Sequence, residues 1–216
     1  MRIAVDVMGG GHAPDAILKG CLDALGHIAG DDTLVLIGPS ALLNEQLDER
    51  GVRDPRIEIL DAQDTIPMGE SPTKAVRQRT ESSIVKMAIA GSHKADNPVD
   101  VVISAGNTGA CVAAGIMHMK RLPGIHRPGI AVTIPAFHGP VILCDAGANP
   151  EPRGPHLWQY GVMADLLARE TLGIENPRVA LMNIGSEEGK GSELVKSARD
   201  LLKATPGLNF IGYVEG

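Results

Sequence analysis

The chain has 216 residues, of which 44% are hydrophobic and 2% aromatic, and its formal net charge is −6. That is apolar material enough for a full aliphatic core, while the acidic balance argues against general nucleic-acid binding, which needs a basic face. No apolar stretch reaches membrane-spanning length, the opening MRIAVDVMGG is too short and too early for a signal peptide, and Cys21, Cys111 and Cys144 form no CxxC pair and read as reduced thiols of a cytosolic protein.

In chain order, Ile3–Val7 reads as a buried strand and Met8–Pro14 as a glycine-rich loop. Pro14 suits the first turn of a helix that runs to about His27. Thr33–Ile37 is a second strand, Ala41–Arg50 a helix closed by Gly51, and Arg56–Leu60 a third strand. The polar segment Asp61–Ser71 follows. Pro72 then opens a long helix to about Lys94, with Lys74, Arg77 and Arg79 on its exposed front. Val99–Ser104 is a strand, SAGNTGA a turn, and the next helix reaches about Leu122 before Pro123 stops it. Gly129–Pro135 and Val141–Cys144 are strands joined closely enough for a hairpin. The loop Asp145–Gly154 leads to a helix from Pro155 to about Thr171. Arg178–Asn183 is a strand, Gly185–Gly191 a polar loop, Ser192 the cap of a helix to about Lys203, and Asn209–Val214 a final strand.

Strands alternating with helices predict an α/β protein. We expect a three-layer αβα sandwich with a mostly parallel sheet and one short hairpin, in a single domain over residues 1–216. Ligands of such sheets sit beyond the carboxyl ends of the strands. Four loops follow strands: MGGGH, SAGNTG, DAGAN and NIGSEEGKG. They therefore form the expected site.

In SAGNTGA, a β-branched strand stops at Ser104 and a helix begins at once. Gly106, Asn107, Thr108 and Gly109 give exposed N–H groups, an amide and a hydroxyl beside a helix N-terminus, which suits a phosphate. MGGGHAP places Gly9 and Gly10 after Asp6, and His12 lies in the same loop. It lacks the acidic residue that a dinucleotide fingerprint needs after the next strand. In DAGAN, Asp145 is a candidate to take or orient a proton on phosphate, and Asn149 to donate to an oxygen. Lys190, between glycines and following Gly185, is a candidate counter-charge. Glu187 and Glu188 read as solvated. The seven histidines show no metal-ligand spacing, so neither a metal nor a cofactor is expected.

VDVMGGGHAP, SAGNTGA, DAGAN and NIGSEEGKG, in this order, resemble the motifs of the bacterial phosphate acyltransferase family (PlsX), the acyl-carrier-protein:phosphate transacylases. SPTKAVRQRTESSI, HRPGIAV and NFIGYVEG resemble it too. The resemblance implies a fold similar to phosphotransacetylases and isopropylmalate dehydrogenases. It also implies transfer of a fatty acyl group from acyl carrier protein to inorganic phosphate, giving acyl phosphate for phospholipid synthesis. It further implies a cytoplasmic homodimer, peripheral at the inner face of the cell membrane, that feeds a downstream membrane acyltransferase. Two departures stand out. Gly11 replaces the family's Asp after the double glycine, and the family continues well past VEG, so the chain is expected to lack its C-terminal part.

On this reading Asn107, Asp145 and Lys190 are catalytic. Asp6, Gly9, Gly10, Ser104, Gly106, Thr108, Gly109, Asn149 and Gly185 bind substrate. Lys74, Arg77 and Arg79, with Lys120, Arg121 and Arg127, are candidates for docking the acidic carrier. The alternatives are a coenzyme-A-dependent phosphate acyltransferase for short acyl groups, a dehydrogenase of the isopropylmalate type, and an inactive phosphate- or acyl-binding fragment.

Overall fold

A computed structural model describes residues 1–187 and 189–215. The chain divides into two compact units, Met1–Lys120 and Arg121–Gly216.

The first unit carries β1 (Arg2–Asp6), α1 (Asp15–Ala24), β2 (Thr33–Gly38), α2 (Ser40–Glu49), β3 (Ile57–Asp61), α3 (Pro72–Gln78), α4 (Ser83–Ala90), β4 (Val101–Ile103) and α5 (Thr108–Ala114). A π-helical turn, Gly115–Met119, extends α5. The strands form one parallel sheet in the order β3-β2-β1-β4. Alternation along the strands divides the core. Val5, Val7, Leu34 and Leu36 pack with Leu18 and Cys21 of α1 and Leu43 and Leu47 of α2. Ala4, Val35 and Ile37 pack on the other face with Met87 of α4. Near-continuous aliphatic runs are what a strand covered on both faces requires. This unit is the expected three-layer αβα arrangement.

The helix expected over 72–94 is two helices. Arg79 leaves helical geometry at φ −105°, ψ 61°, and the chain turns before Ser82. Two tertiary contacts account for the break: the Arg79 guanidinium is drawn to Asp64 and Glu70, and Ser83 N–H donates to the Asp64 carbonyl.

The second unit carries β5 (Ala131–Ile134), β6 (Val141–Cys144), α6 (Gly154–Leu172), β7 (Val179–Met182), α7 (Glu193–Lys203) and β8 (Phe210–Val214). The expected hairpin is β5–β6, antiparallel with Ala131 opposite Cys144. β7 and β8 are parallel neighbours. The α/β class with one hairpin thus holds, with the parallel strands shared between two sheets. Val179, Leu181, Ala198, Leu202 and Tyr213 make this unit's core. α6 ends at Gly173, whose φ of +65° is the left-handed closing geometry that glycine adopts without strain. Ser192 precedes α7 but makes no side-chain capping bond. Among the described residues no helix is long and apolar enough to cross a membrane.

Candidate functional site

In the first unit, β1 and β4 are parallel neighbours with Val5 opposite Ile103. Their carboxyl ends therefore release Met8–Gly11 and Ser104–Asn107 side by side. A hydrogen-bond chain sews the two loops together. Asp6 is fully buried; its Oδ1 accepts from Met8 N–H (3.1 Å) and its Oδ2 from the Ser104 hydroxyl (2.8 Å). Ser104 Oγ in turn accepts from Gly106 N–H (3.0 Å). A buried carboxylate needs such donors, and here they come from both loops. The backbones also touch. A Cβ on Gly9 would lie 2.6 Å from Asp6 Oδ2, 2.8 Å from Gly106 N and 2.9 Å from Ser104 Oγ, and one on Gly106 would lie 3.3 Å from Gly9 Cα. Gly10 follows with φ +107°, over Ala105. Asp6 and Ser104 are thus braces of the loop pair, with their polar atoms already engaged.

Asn107, the first of the expected catalytic residues, is 5% exposed. Its Oδ1 caps α5 by accepting from Ala110 N–H (3.0 Å), and its Nδ2 faces the carbonyls of Pro67, Met68 and Glu70 at 3.1, 3.1 and 3.2 Å. Both amide hydrogens are directed at this chain's own carbonyls. The side chain anchors the Pro67–Glu70 turn to the loop and has no donor left for a phosphate. Thr108 and Gly109, at the first turn of α5, are exposed, as are Gly11 and His12.

Arg79, the third docking candidate, donates from Nε to Glu70 (2.8 Å) and from Nη1 to Asp64 (3.0 Å), so its guanidinium is held at the same turn. Lys74 and Arg77 are the exposed cations of α3. Lys120 Nζ donates to the Met117 carbonyl (2.6 Å).

In the second unit, Asp145 follows β6 and fills its carboxylate locally. It accepts from the N–H groups of Ile130 (2.8 Å), Ala148 (3.1 Å) and Asn149 (2.8 Å), and from Asn149 Nδ2 (3.0 Å). Burial pushes its pKa up, but the bonds from Ile130, Asn149 and Ala148 outweigh burial and hold it below the ordinary carboxylate value. The carboxylate expected to take or orient a phosphate proton is thus engaged by four donors from its own loop and from Ile130. Asn149 Nδ2 also donates to the Pro128 carbonyl (2.8 Å), so its hydrogens are committed to holding the 128–149 loops together.

Lys190 is exposed. Its loop is shaped by Asn183, which sequence reasoning missed. Asn183 Nδ2 donates to the carbonyl of buried Gly185 (3.0 Å), and its side chain lies where a Cβ on Gly191 would sit, with 2.7 Å to Oδ1. A polar residue at the end of an apolar strand, just before a glycine loop, was the available signal. An open crevice of about 500 Å³ lies beside it, lined by Met182, Asn183, Ile184, Gly191, Ser192 and Val195. Glu187 is exposed, and Glu188 lies outside the described residues. Among the described residues no three His, Cys, Asp or Glu side chains converge as metal ligands would.

A family model described as fatty acid synthesis protein matches residues 1–216. The phosphate acyltransferase of Salinibacter ruber is 41% identical over 216 residues, covering 100% of this chain and 63% of that protein. That of Desulfitobacterium hafniense (strain DSM 10664 / DCB-2) is 43% identical, and that of Geobacillus thermodenitrificans 42%, each with the same 100% and 63% coverage. The chain thus spans about 63% of the length of these curated relatives. The solved structure of EutD phosphotransacetylase from Staphylococcus aureus is similar in fold, with a TM-score of 0.63 and 17% identity over 100% of this chain and 68% of that one. By a match that runs its whole length, the chain belongs to the fatty acid synthesis protein family, whose relatives described above carry the name phosphate acyltransferase.

Proposed function

We propose that this chain serves transfer of a fatty acyl group from acyl carrier protein to inorganic phosphate, producing an acyl phosphate for phospholipid synthesis. The observation that carries the proposal is the sewn pair of strand-end loops, in which Gly9 meets Gly106 backbone to backbone, within a chain of this family. A phosphate oxygen attacks the thioester carbonyl. A C–O bond forms, the C–S bond breaks, and the leaving thiolate takes the proton that monohydrogen phosphate gives up. Phosphate dianion is already nucleophilic, so the protein's task is to hold it against its own charge and direct one oxygen.

In this reading the N–H groups of the Ser104–Gly109 turn and the Thr108 hydroxyl hold the phosphate. Gly9 and Gly10 permit the close approach of the two loops, and Asp6, Ser104 and Asn107 fix the turn. Lys190, in the loop that Gly185 opens, is an exposed cation of the second unit for the reaction. The crevice walled by Met182, Ile184 and Val195 offers an acyl chain an apolar surface. Lys74 and Arg77 meet the acidic carrier. The protein acts as a homodimer in the cytoplasm, peripheral at the inner face of the membrane, and hands its product to a membrane acyltransferase.

The test is release of free carrier thiol from acyl carrier protein thioester, with and without phosphate. Phosphate-dependent release that falls at least tenfold in Lys190→Ala is expected, as loss of a charge-assisted contact predicts. Turnover of acyl-CoA with none of the carrier thioester would move the assignment to the coenzyme-A-dependent reaction. Phosphate binding without turnover of either donor would leave a binding module.

A further inference from the structure

In the first unit the segment 64–70, between β3 and α3, is a loop closed at its base by Arg79. The guanidinium donates from Nη1 to both carboxylate oxygens of Asp64 (3.0 and 3.1 Å) and from Nε to Glu70 Oε2 (2.8 Å), so one side chain spans the first and last residues of the loop. The backbone adds two bonds at the same end. Asp64 N–H donates to the Glu81 carbonyl (3.2 Å), and Ser83 N–H to the Asp64 carbonyl (3.0 Å). A planar fork of donors can hold two carboxylates at once, which the point charge of a lysine does less well. Lys74 and Arg77 are exposed, whereas Arg79 is half-buried between its two carboxylates.

The other side of this loop lies on α5. Ile66 is 6% exposed and shares a core cluster with Ala110 and Ala114. The carbonyls of Pro67, Met68 and Glu70 face Asn107 Nδ2. Pro72, two residues beyond the loop, sits so near the first turn of α5 that a Cβ on Gly109 would lie 2.6 Å from its Cγ. Glu70 is thus held twice, its carboxylate by Arg79 and its carbonyl by Asn107, and Asn107 Oδ1 caps α5 at Ala110 N–H. Contacts run from Arg79 through Glu70 and Asn107 to the N–H groups that open α5.

We propose that Arg79 is a positioning residue for the phosphate-holding turn, acting through Glu70 and Asn107, and not a contact for the acidic carrier. This rests on the reading of the Ser104–Gly109 turn as the phosphate holder. Donors stabilise an anion most when they are already directed at it. A loop that opens at its base withdraws the Pro67–Glu70 carbonyls from Asn107, and the first turn of α5 is then free to move. Arg79 itself touches no reacting atom, so its loss weakens phosphate binding and leaves carrier binding alone.

The test follows the amide NMR signals of Gly106 and Gly109 in the intact chain as inorganic phosphate is added at matched ionic strength, with release of thiol from acyl carrier protein thioester measured alongside. The phosphate midpoint should rise about tenfold in Arg79→Gln and recover only in part in Arg79→Lys, which keeps the charge and loses the fork. Glu70→Ala should raise it too, where simple charge effects predict the opposite sign, because removing a carboxylate favours an anion. It also carries the test if Arg79→Gln does not fold. In an Asn107→Ser background, where the tether is already gone, Arg79→Gln should raise the midpoint less than about twofold further. In turnover the KM for phosphate should follow the midpoint, and the KM for the carrier thioester should stay within about twofold of the parent. A lowered Tm with an unchanged phosphate midpoint marks a structural brace only and overturns the proposal. So does full additivity with Asn107→Ser, and so does a rise confined to the carrier KM, which would make Arg79 a docking residue. Phosphate shifts that follow the expected pattern without any thiol release support the proposal and overturn the acyl-transfer reading instead. No phosphate shift at Gly106 or Gly109 in the parent chain overturns the proposal together with the phosphate-holding role of the turn.

Discussion

Asn107 tests most sharply whether the first-unit loop is held by side-chain bracing. Its Oδ1 caps α5 at Ala110 N–H, and its Nδ2 tethers the Pro67–Glu70 turn. Losing an N-cap costs about 1 kcal/mol. The amide has two hydrogens, so at most two of the three carbonyl contacts are full bonds at once. Each is worth roughly 0.5–1.5 kcal/mol net, and water at the exposed Pro67 and Met68 keeps the loss near the lower end. Asn107→Ala should therefore cost about 2–3 kcal/mol, and Asn107→Ser, which keeps the cap and loses the tether, about 1 kcal/mol. Asn107→Asp also keeps a cap acceptor but sets a negative charge against three carbonyl oxygens, so it should destabilise at least as much as alanine. The single tryptophan, Trp158, lies in the other unit, so its fluorescence reports the wrong part of the chain. Amide hydrogen exchange is the suitable assay, read at Ala110 and through α5. Protection at Ala110 should fall in Asn107→Ala and persist in Asn107→Ser. An alanine variant within about 0.5 kcal/mol of the parent, with Ala110 still protected, would refute the bracing argument.

Other outcomes follow from the same structure. Gly9→Ala must displace Asp6, Ser104 or the Gly106 backbone, so thermal unfolding of the first unit should show a loss of about 1–3 kcal/mol, whereas Gly11→Ala, with nothing within 4 Å, should show almost none. Hydrogen bonds from the Arg56 side chain and backbone hold the Asp54 carboxyl at about 2, below its ordinary value. Because its folded pKa is the lower one, its stabilising effect is complete above the unfolded pKa of about 4 and is lost as pH falls from there through 2, and Asp54→Asn should remove that part of the acid-unfolding slope. Burial pushes the thiols of Cys21 and Cys144 up to about 11, with Asp145 adding to the shift at Cys144. Both should react with iodoacetamide at pH 8 far more slowly than a free thiol, and mass spectrometry of the alkylated peptides would show it.

Element types were legible because they rest on local pattern. Aliphatic runs such as Leu34–Ile37 admit little but a strand covered on both faces, Pro72 marks a helix start, and the short connection Pro135–Pro140 announces the hairpin. The break at Arg79 was not legible. Nothing in the local pattern stops that helix; Asp64 and Glu70, fifteen and nine residues earlier in sequence, do so by pairing with the guanidinium. The polar residues of the glycine loops stand out in the sequence by their type and their place at strand ends. What they do with their polar atoms depends on neighbours distant in sequence: Ser104 and Asp6 are 98 residues apart, and Asn107 and Pro67 are 40 apart. Gln159 gave no motif because it acts on backbone groups of His126 and Gly124 that only the fold brings near.

The sequence by itself determined the α/β class, the order of its elements, the glycine loops at strand ends and the family, since these follow from hydrophobic period, turn chemistry and ordered motifs. Only the tertiary structure decided which polar side chains are already committed. Asp6, Ser104, Asn107, Asp145 and Asn149 engage hydrogen-bonding groups of the chain's own loops, several of them distant in sequence, while Thr108 and Lys190 stay exposed. The physical reason is that a buried polar atom must be satisfied by whatever the fold sets within about 3 Å of it. That distance is fixed by chain packing, and no spacing along the sequence encodes it.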